Sequence, residues 1–347
     1  MKIILDCYTD EPAGLGVPNY LGTYPRYLAG LFNKEGEDYV YLTIDDFRYW
    51  YAKRNNKLPK PSLKTDIFVY NKTNHNVDEV LQKADELIAI VGVHVPGKYL
   101  TAVPGTLNEV QKLIREIQIK KVLTGPAIYG SGLHGGKFAE TTENTIFDEI
   151  RPYDFSFKEI DELAPLGADL IKQIPGDRVV EIESGRGCRV SGCSFCTEPL
   201  KNRLEFRREP AILKEVKELC KAGARHFRVG KQACYFTHPD ALTLLKSIRE
   251  LCPEIKTLHI DNVNPNMLLT TKGKEICKNV VKYCTEGNVA AFGVECWDEE
   301  VGKLNNLNTT PEKAYEAIKV INEIGGHRGP NGMPHFLPGI NIIFGLI

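Results

Sequence analysis

The chain has almost no net charge: 44 Lys and Arg residues stand against 45 Asp and Glu, leaving −1. That balance excludes attachment to nucleic acid or an anionic membrane through bulk charge and leaves only a local patch for such a role. Long apolar runs are missing as well, and none approaches the ~20 residues of a membrane span. The opening stretch, "MKIILDCYTDEPAG", lacks the basic start, long apolar segment and small-residue cleavage site of a secretory signal. Its apolar letters pass quickly into acidic ones, as in a first buried strand. Together these absences point to a cytoplasmic protein with no membrane partner. Ten cysteines are present, but a chain of 347 residues builds enough core to do without disulfides, and a reducing cytosol opposes them. Seven of the ten (Cys7, Cys220, Cys234, Cys252, Cys277, Cys284 and Cys296) are scattered and read as ordinary buried or partly buried thiols.

Short apolar runs alternate with amphipathic ones along the first half. "KIILDC" (2–7), "DYVYLTI" (38–44), "LIAIVGV" (87–93) and "KKVLTG" (120–125) read as buried parallel strands. Between them "YPRYLAGLFNK", "NVDEVLQKADE" and "TLNEVQKLIREI" repeat apolar residues every three or four positions, as helices require. This alternation predicts an α/β fold that begins with a doubly wound parallel sheet over residues 1–155. A connector, 156–177, follows. From 178 to 347 the alternation resumes, with strands at "RVVEIES", "HFRVG", "TLHIDNV", "NVAAFGVE" and "GINIIFGL". Repeated strand–helix units of this kind form a partial TIM-like (β/α) barrel, whose chemistry collects at the C-terminal strand ends. One helix has clear limits: Thr310 as N-cap, Pro311 at the first helical position, and Gly325–Gly326 as the stop. The chain ends at "INIIFGLI", on a strongly apolar strand with no polar tail, so the barrel is expected to be truncated.

The remaining three cysteines, Cys188, Cys193 and Cys196, share one loop, "GRGCRVSGCSFC", directly after the first strand of the second half. Thiolates bind zinc and iron–sulfur clusters. A structural zinc site closes on four ligands; here the loop offers three, and Cys220 and His226 lie far off in sequence on other elements. Three ligands with one open position is the arrangement of a catalytic centre. Zinc and inert thiols remain the alternatives at this point.

The loop resembles the cluster loop of the radical S-adenosylmethionine (radical SAM) superfamily, with Phe195 in the family's aromatic place before the final cysteine. Four residues separate Cys188 from Cys193, one more than the commonest family spacing, and Gly192 gives the loop room to absorb it. The resemblance implies that the three cysteines bind a [4Fe–4S] cluster whose open iron is chelated by the amino and carboxylate groups of SAM. One-electron reduction, fed by an electron-donor protein, then breaks the sulfonium bond to give a 5′-deoxyadenosyl radical. It also implies SAM contacts at Phe195, at Gly230, which ends "HFRVG", and at Glu295, which ends "AAFGVE" and would accept from ribose hydroxyls. "GINIIFG" resembles the strand near the adenine. "HIDNVNP", "AAFGVE", "NNLNTTPE" and "GMPHFLPGIN" together resemble a largely archaeal branch that carries a helix–hairpin–helix module at its C-terminus, of which nothing is present here.

The first domain resembles the cobalamin-binding-type domain that precedes many radical SAM cores. The D-x-H-x-x-G motif that supplies its cobalt-ligating histidine is absent, and His75 has the wrong neighbours, so cobalamin is possible but not favoured. "GSGLHGG", with Gly130, Gly132 and Gly135, matches G-x-G-x-x-G but follows the fourth strand, where a dinucleotide fingerprint does not belong. In "LHIDNVNP", alternation sets His259 and Asp261 on one face and Asn262 and Asn264 on the other, either orienting substrate or forming a turn. "GGHRGPNGMPH" holds His327, Arg328 and His335 in a glycine-rich loop that reads as solvated, or else as an anion site. No group that gives up an atom to the radical can be named, and the substrate is unassigned, nucleic acid included. Two rival functions remain. One is a zinc-stabilised nucleic-acid-binding module. The other is a methylthiotransferase-like RNA modifier, which would carry three further cysteines in the first domain, where only Cys7 stands.

Overall fold

A computed structural model describes the chain except for residues 8–19, 58–68, 93–103, 130, 133–138, 141–145, 191, 197, 199–201 and 347, and except for the side chains of 131–132 and 139–140. The backbone packs as two units, the first running mainly to Arg178 and the second mainly from Val179.

Five parallel strands form the sheet of the first unit: β1 (Lys2–Asp6), β2 (Tyr39–Thr43), β3 (Glu86–Ile90), β4 (Lys120–Thr124) and β5 (Glu149–Ile150). Their order is β2-β1-β3-β4-β5, parallel throughout. This is the doubly wound order that leaves a switch point between β1 and β3. Alternation explains why both faces are covered. Ile3 and Leu5 enter one apolar cluster with Leu42, Leu87 and Ala89, whereas Ile4 enters another with Tyr41, Ile88 and Val122. Strands buried on both faces need the near-continuous apolar runs that this sequence has.

Three departures from the periodicity reading have local causes. Helix Ile44–Arg54 follows β2 without a break, and a capping box between Thr43 and Asp46 starts it. Strand β5 is two residues long, too short for a pattern. The stretch expected to connect the domains contains helix Phe157–Leu166, followed by a 3₁₀ turn over Gly167–Gln173. It packs on helix Tyr24–Glu35 at the closest approach two helices allow. A Cβ on Gly30 would stand 2.0 Å from the Leu163 carbonyl oxygen, and one on Gly167 would stand 1.8 Å from that of Arg26. The glycine-rich "GSGLHGG" lies mostly outside the described residues.

The second unit carries parallel strands β6 (Val179–Glu183), β9 (His226–Gly230) and β10 (Thr257–Ile260), and then β11 (Asn262–Val263), β12 (Asn288–Glu295) and β13 (Phe336–Ile342). Two short antiparallel strands, β7 (Gly185–Arg186) and β8 (Glu205–Phe206), lie between β6 and β9 in the chain. The ladders run β6-β9-β10 and β11-β12-β13, all parallel. Only Asp261 separates β10 from β11, and Ile260 N–H donates to Asn288 Oδ1 across the break at 3.2 Å. The strands therefore follow one another in chain order as a partial barrel with intervening helices. Val180, Ile182, Phe227, Val229, Leu258 and Ile260 are buried in its core. The residues between them on the other face are Glu181, Arg228 and His259, which the strand register lines up in one row. The helix Pro311–Gly325 begins where the sequence sets it, with Thr310 Oγ1 accepting from Lys313 N–H. β13 starts three residues before the expected "GINIIFGL" run and ends at Ile342, because it tolerates Pro338 at the edge of the ladder.

Candidate active site

The three clustered cysteines sit at the tip of an antiparallel hairpin that rises from the carboxyl end of β6. Gly185 pairs with Phe206 and Arg186 with Glu205, so residues 187–204 form the connecting loop. Its neck is closed by buried charge. Arg207, fully buried, donates Nη1–H to the Glu183 carbonyl at 2.9 Å and to the Glu215 carboxylate at 2.6 Å, and its backbone N–H reaches the Ser184 carbonyl at 3.0 Å. His238 holds the Arg207 carbonyl from its Nε2–H at 3.0 Å while its Nδ1 accepts from Asp240 N–H. Burial keeps that imidazole below its usual range and hence neutral. Inside the neck Gly187 adopts φ 75°, and a Cβ there would meet the Arg203 carbonyl oxygen at 2.5 Å. Its N–H donates to Glu198, 2.8 Å away, which fastens one end of the loop to the other.

Cys188, Cys193 and Cys196 are all half-buried, as is Phe195. Burial pushes the Cys193 thiol up, and Cys196 and Cys188 push in the same direction. Among the described residues no three His, Cys, Asp or Glu side chains are gathered tightly enough to bind a single metal ion. A cubane takes each thiolate on a different iron, so three cysteines can hold such a cluster and leave one iron open. The remaining cysteines behave as the sequence reading holds: all are buried except half-buried Cys296, and burial pushes Cys277 and Cys284 up to about 12.

Gly230 and Glu295 stand at the carboxyl ends of β9 and β12, on the same end of the parallel strands as the cysteine loop. Lys231 follows Gly230 at φ 68°, and Glu295 itself has φ 64°. Left-handed backbone is uncommon for such residues and costs of order 1–3 kcal/mol. It recurs here at two strand ends of the rim. At Glu295 the β12–β13 register slips, and burial raises the carboxyl above its ordinary value. The rim is knitted by uncharged groups: Ser184 Oγ–H donates to Gln232 at 2.9 Å, and Asn262 Nδ2 to the Gln232 carbonyl at 3.2 Å.

Several residues of the rim were not legible as functional in the sequence. Ser194 donates its N–H to the Asn305 carbonyl at 3.0 Å and its hydroxyl to Asn305 Oδ1 at 2.5 Å. Asn308 lies near the Cys193 thiol and works against the upward push of burial on it. The asparagine-rich "NNLN" run was the available signal. For "LHIDNVNP" the turn reading wins at Asn264, whose Oδ1 caps the short helix Pro265–Leu268. Asp261 pairs with Arg228, and burial holds His259 neutral, down to about 4. In the loop expected to be solvated, Arg328 closes the loop on itself at the Gly332 carbonyl, 2.5 Å away, beside the rings of His327 and His335, whose centroids lie 4.5 Å apart and whose planes are tilted by 35°.

The sequence profile of the radical SAM superfamily matches residues 182–342, from β6 through the cysteine loop to the end of β13. The chain belongs to the radical SAM superfamily. An uncharacterised protein of Methanocaldococcus jannaschii is 40% identical over 99% of this radical SAM chain and 67% of its own length. One of Archaeoglobus fulgidus is 35% identical over 99% and 64%. The chain thus spans about two thirds of these relatives. Among solved structures the fold is similar to that of the cobalamin-dependent SAM radical enzyme OxsB, with TM-score 0.60 and 12% identity over 99% of this chain and 49% of that one. It is also similar to the radical SAM methyltransferase TsrM from Kitasatospora setae, with TM-score 0.56 and 13% identity over 99% and 68%. No helix among the described residues is long and apolar enough to cross a membrane.

Proposed function

We propose that Cys188, Cys193 and Cys196 hold a [4Fe–4S] cluster and that this radical SAM enzyme cleaves SAM reductively, directing the radical at a substrate still to be identified. The observation that carries this reading is the loop itself: three half-buried thiols on a latched hairpin at the carboxyl ends of barrel strands. When bound, the cluster supplies one electron to the sulfonium, so that a carbon–sulfur bond breaks into methionine and a 5′-deoxyadenosyl radical. The protein's own groups do the holding. The Gly187–Glu198 contact and the Ser194–Asn305 pair fix the loop. Gly230, without a side chain, lets backbone approach the methionyl end of SAM. Phe195 contacts SAM from the loop, and Glu295 accepts from the ribose hydroxyls. The reading divides the chain into a cobalamin-binding-like domain (1–155), a connector (156–177) and a radical SAM core (178–347) in the cytoplasm, served by an electron-donor protein.

The test is to reconstitute the protein anaerobically with iron and sulfide, add SAM and a strong reductant, and measure 5′-deoxyadenosine. We expect that product together with iron and sulfide in cluster proportion. One equivalent of zinc without iron or sulfide would replace this reading with a zinc-stabilised nucleic-acid-binding module. Cobalamin is not favoured, because no D-x-H-x-x-G motif stands anywhere in the sequence.

The Glu295 role has its own check. Glu295→Gln keeps the shape and loses the charge-assisted acceptor, worth about 1.5 kcal/mol or more. The KM for SAM should rise roughly tenfold with kcat changed little. An unchanged KM would remove Glu295 from the SAM site.

A further inference from the structure

We infer that the first unit carries a binding platform for single-stranded nucleic acid, built on helix Ile44–Arg54 and the segment Tyr70–Lys72. The inference goes beyond the reductive cleavage of SAM and does not depend on it.

A chain of net charge −1 gathers basic groups here: "RYWYAKRNNK" (48–57) holds four basic residues, three aromatic ones and no acidic one. Within the helix only Ile44, Asp45, Asp46 and Phe47 are buried, so Tyr49 and Tyr51 are not core residues. Tyr51 is 40% exposed and Tyr70 50%. One anchor fixes where Tyr70 stands. Buried Lys72 sets its ammonium 3.8 Å from the Tyr70 ring centroid and 3.8 Å from Asp45 Oδ2, which pins Tyr70 to the start of the helix. Asp45, Tyr49 and Lys53 then succeed one another at four-residue steps along one face, and Lys53 Nζ lies 4.8 Å from the Tyr49 ring centroid. The next stripe repeats the pattern, with the Arg54 guanidinium 5.0 Å from the Trp50 ring centroid. Past the helix Asn56 is left-handed at φ 49°, and Lys57 N–H returns to the Ala52 carbonyl at 2.8 Å. A further cation therefore stands beside the last turn.

Most of these charges are open to a ligand. Arg48 is held by Asp45 and Glu109. Lys53 and Lys57 are exposed and form no ion pair among the described residues. The Arg54–Asp78 pair, 3.1 Å apart, is exposed on both sides, and such pairs are too weak to withhold a guanidinium from a phosphate. A partner for this surface must bring anions and flat π faces at short intervals. Single-stranded nucleic acid brings a phosphate and an unpaired base with every nucleotide. Its bases stack on the tyrosine rings while Lys53, Arg54 and Lys57 take the backbone. A duplex keeps its bases in its own stack, and an acidic peptide has the charges without the rings.

The test titrates the full chain, reconstituted anaerobically and without SAM, into a fluorescein-labelled oligouridylate and follows fluorescence anisotropy at several salt concentrations. Wild type should bind, and its affinity should fall as salt rises. Tyr70→Ala should weaken binding about tenfold, as expected for one lost base stack, whereas Tyr70→Phe should bind as wild type does. The double variant Lys53→Gln, Lys57→Gln should bind more weakly and reduce the slope of log K against log salt by about 1.4, or ~0.7 for each phosphate contact. Circular dichroism checks that each variant is folded. Absence of binding by wild type overturns the inference. An unaltered Tyr70→Ala titration overturns it too, leaving a general anion patch, as does equally tight binding of a duplex or equal competition by polyglutamate. None of these outcomes touches the cluster reading, which 5′-deoxyadenosine tests on its own.

Discussion

Cys193→Ala should come out of anaerobic reconstitution colourless and make no 5′-deoxyadenosine above the no-enzyme background. The three thiols act as one unit, and removing one member of such a unit costs about as much as removing all. Two thiolates from a loop that already leaves an iron without a protein ligand cannot retain the cluster. Iron and sulfide analysis with the visible spectrum reads the first half of the prediction, and product analysis reads the second. Cys277→Ala is the control. That thiol is fully buried with burial the only influence on it, so the variant should load iron as the wild type does. A Cys193→Ala protein with full iron would mean that the ligands lie elsewhere.

Arg207→Leu should destabilise the second unit by about 3–5 kcal/mol, the cost of leaving one partner of a buried ion pair alone. Glu215 has no exposed surface and would lose the guanidinium that lies on it, while the Glu183 carbonyl at the foot of the loop would lose its donor. Urea unfolding of the full chain, followed by circular dichroism, should show an early transition absent from wild type. Because two units unfold, the midpoint of that transition is the quantity to compare. The double replacement Arg207→Leu, Glu215→Leu should recover much of the loss, since removing both charges also removes the desolvation cost. If the single and double variants melt alike, the pair does not hold the neck together.

Much of the fold was legible from the sequence, because a parallel sheet covered on both faces must be written in unbroken apolar runs. "KIILD" and "ELIAI" could hardly be anything else. Ile44–Arg54 escaped because its start is set by capping, which is written in Thr43 and Asp46 and not in apolar spacing. At the site, the cysteines declare themselves by spacing, since a short loop must supply all three. Ser194, Asn305 and Asn308 do not. They meet through tertiary folding, with Ser194 and Asn305 standing 111 positions apart, and asparagine forms turns far too often for a run of it to point anywhere. No motif or spacing marks Arg207 and Glu215 in "RREPAILKEVKELC", and only their complete burial sets them apart.

The unusual torsions of Lys231 and Glu295 also limit how this rim can vary. A β-branched side chain is a poor fit to those angles, so valine, isoleucine and threonine are shut out at both positions whatever the chemistry demands. Glycine, asparagine and aspartate remain admissible. Any laboratory evolution of substrate preference at this mouth will therefore find those two sites open to a narrow alphabet, and will make most of its gains at neighbours with ordinary backbone.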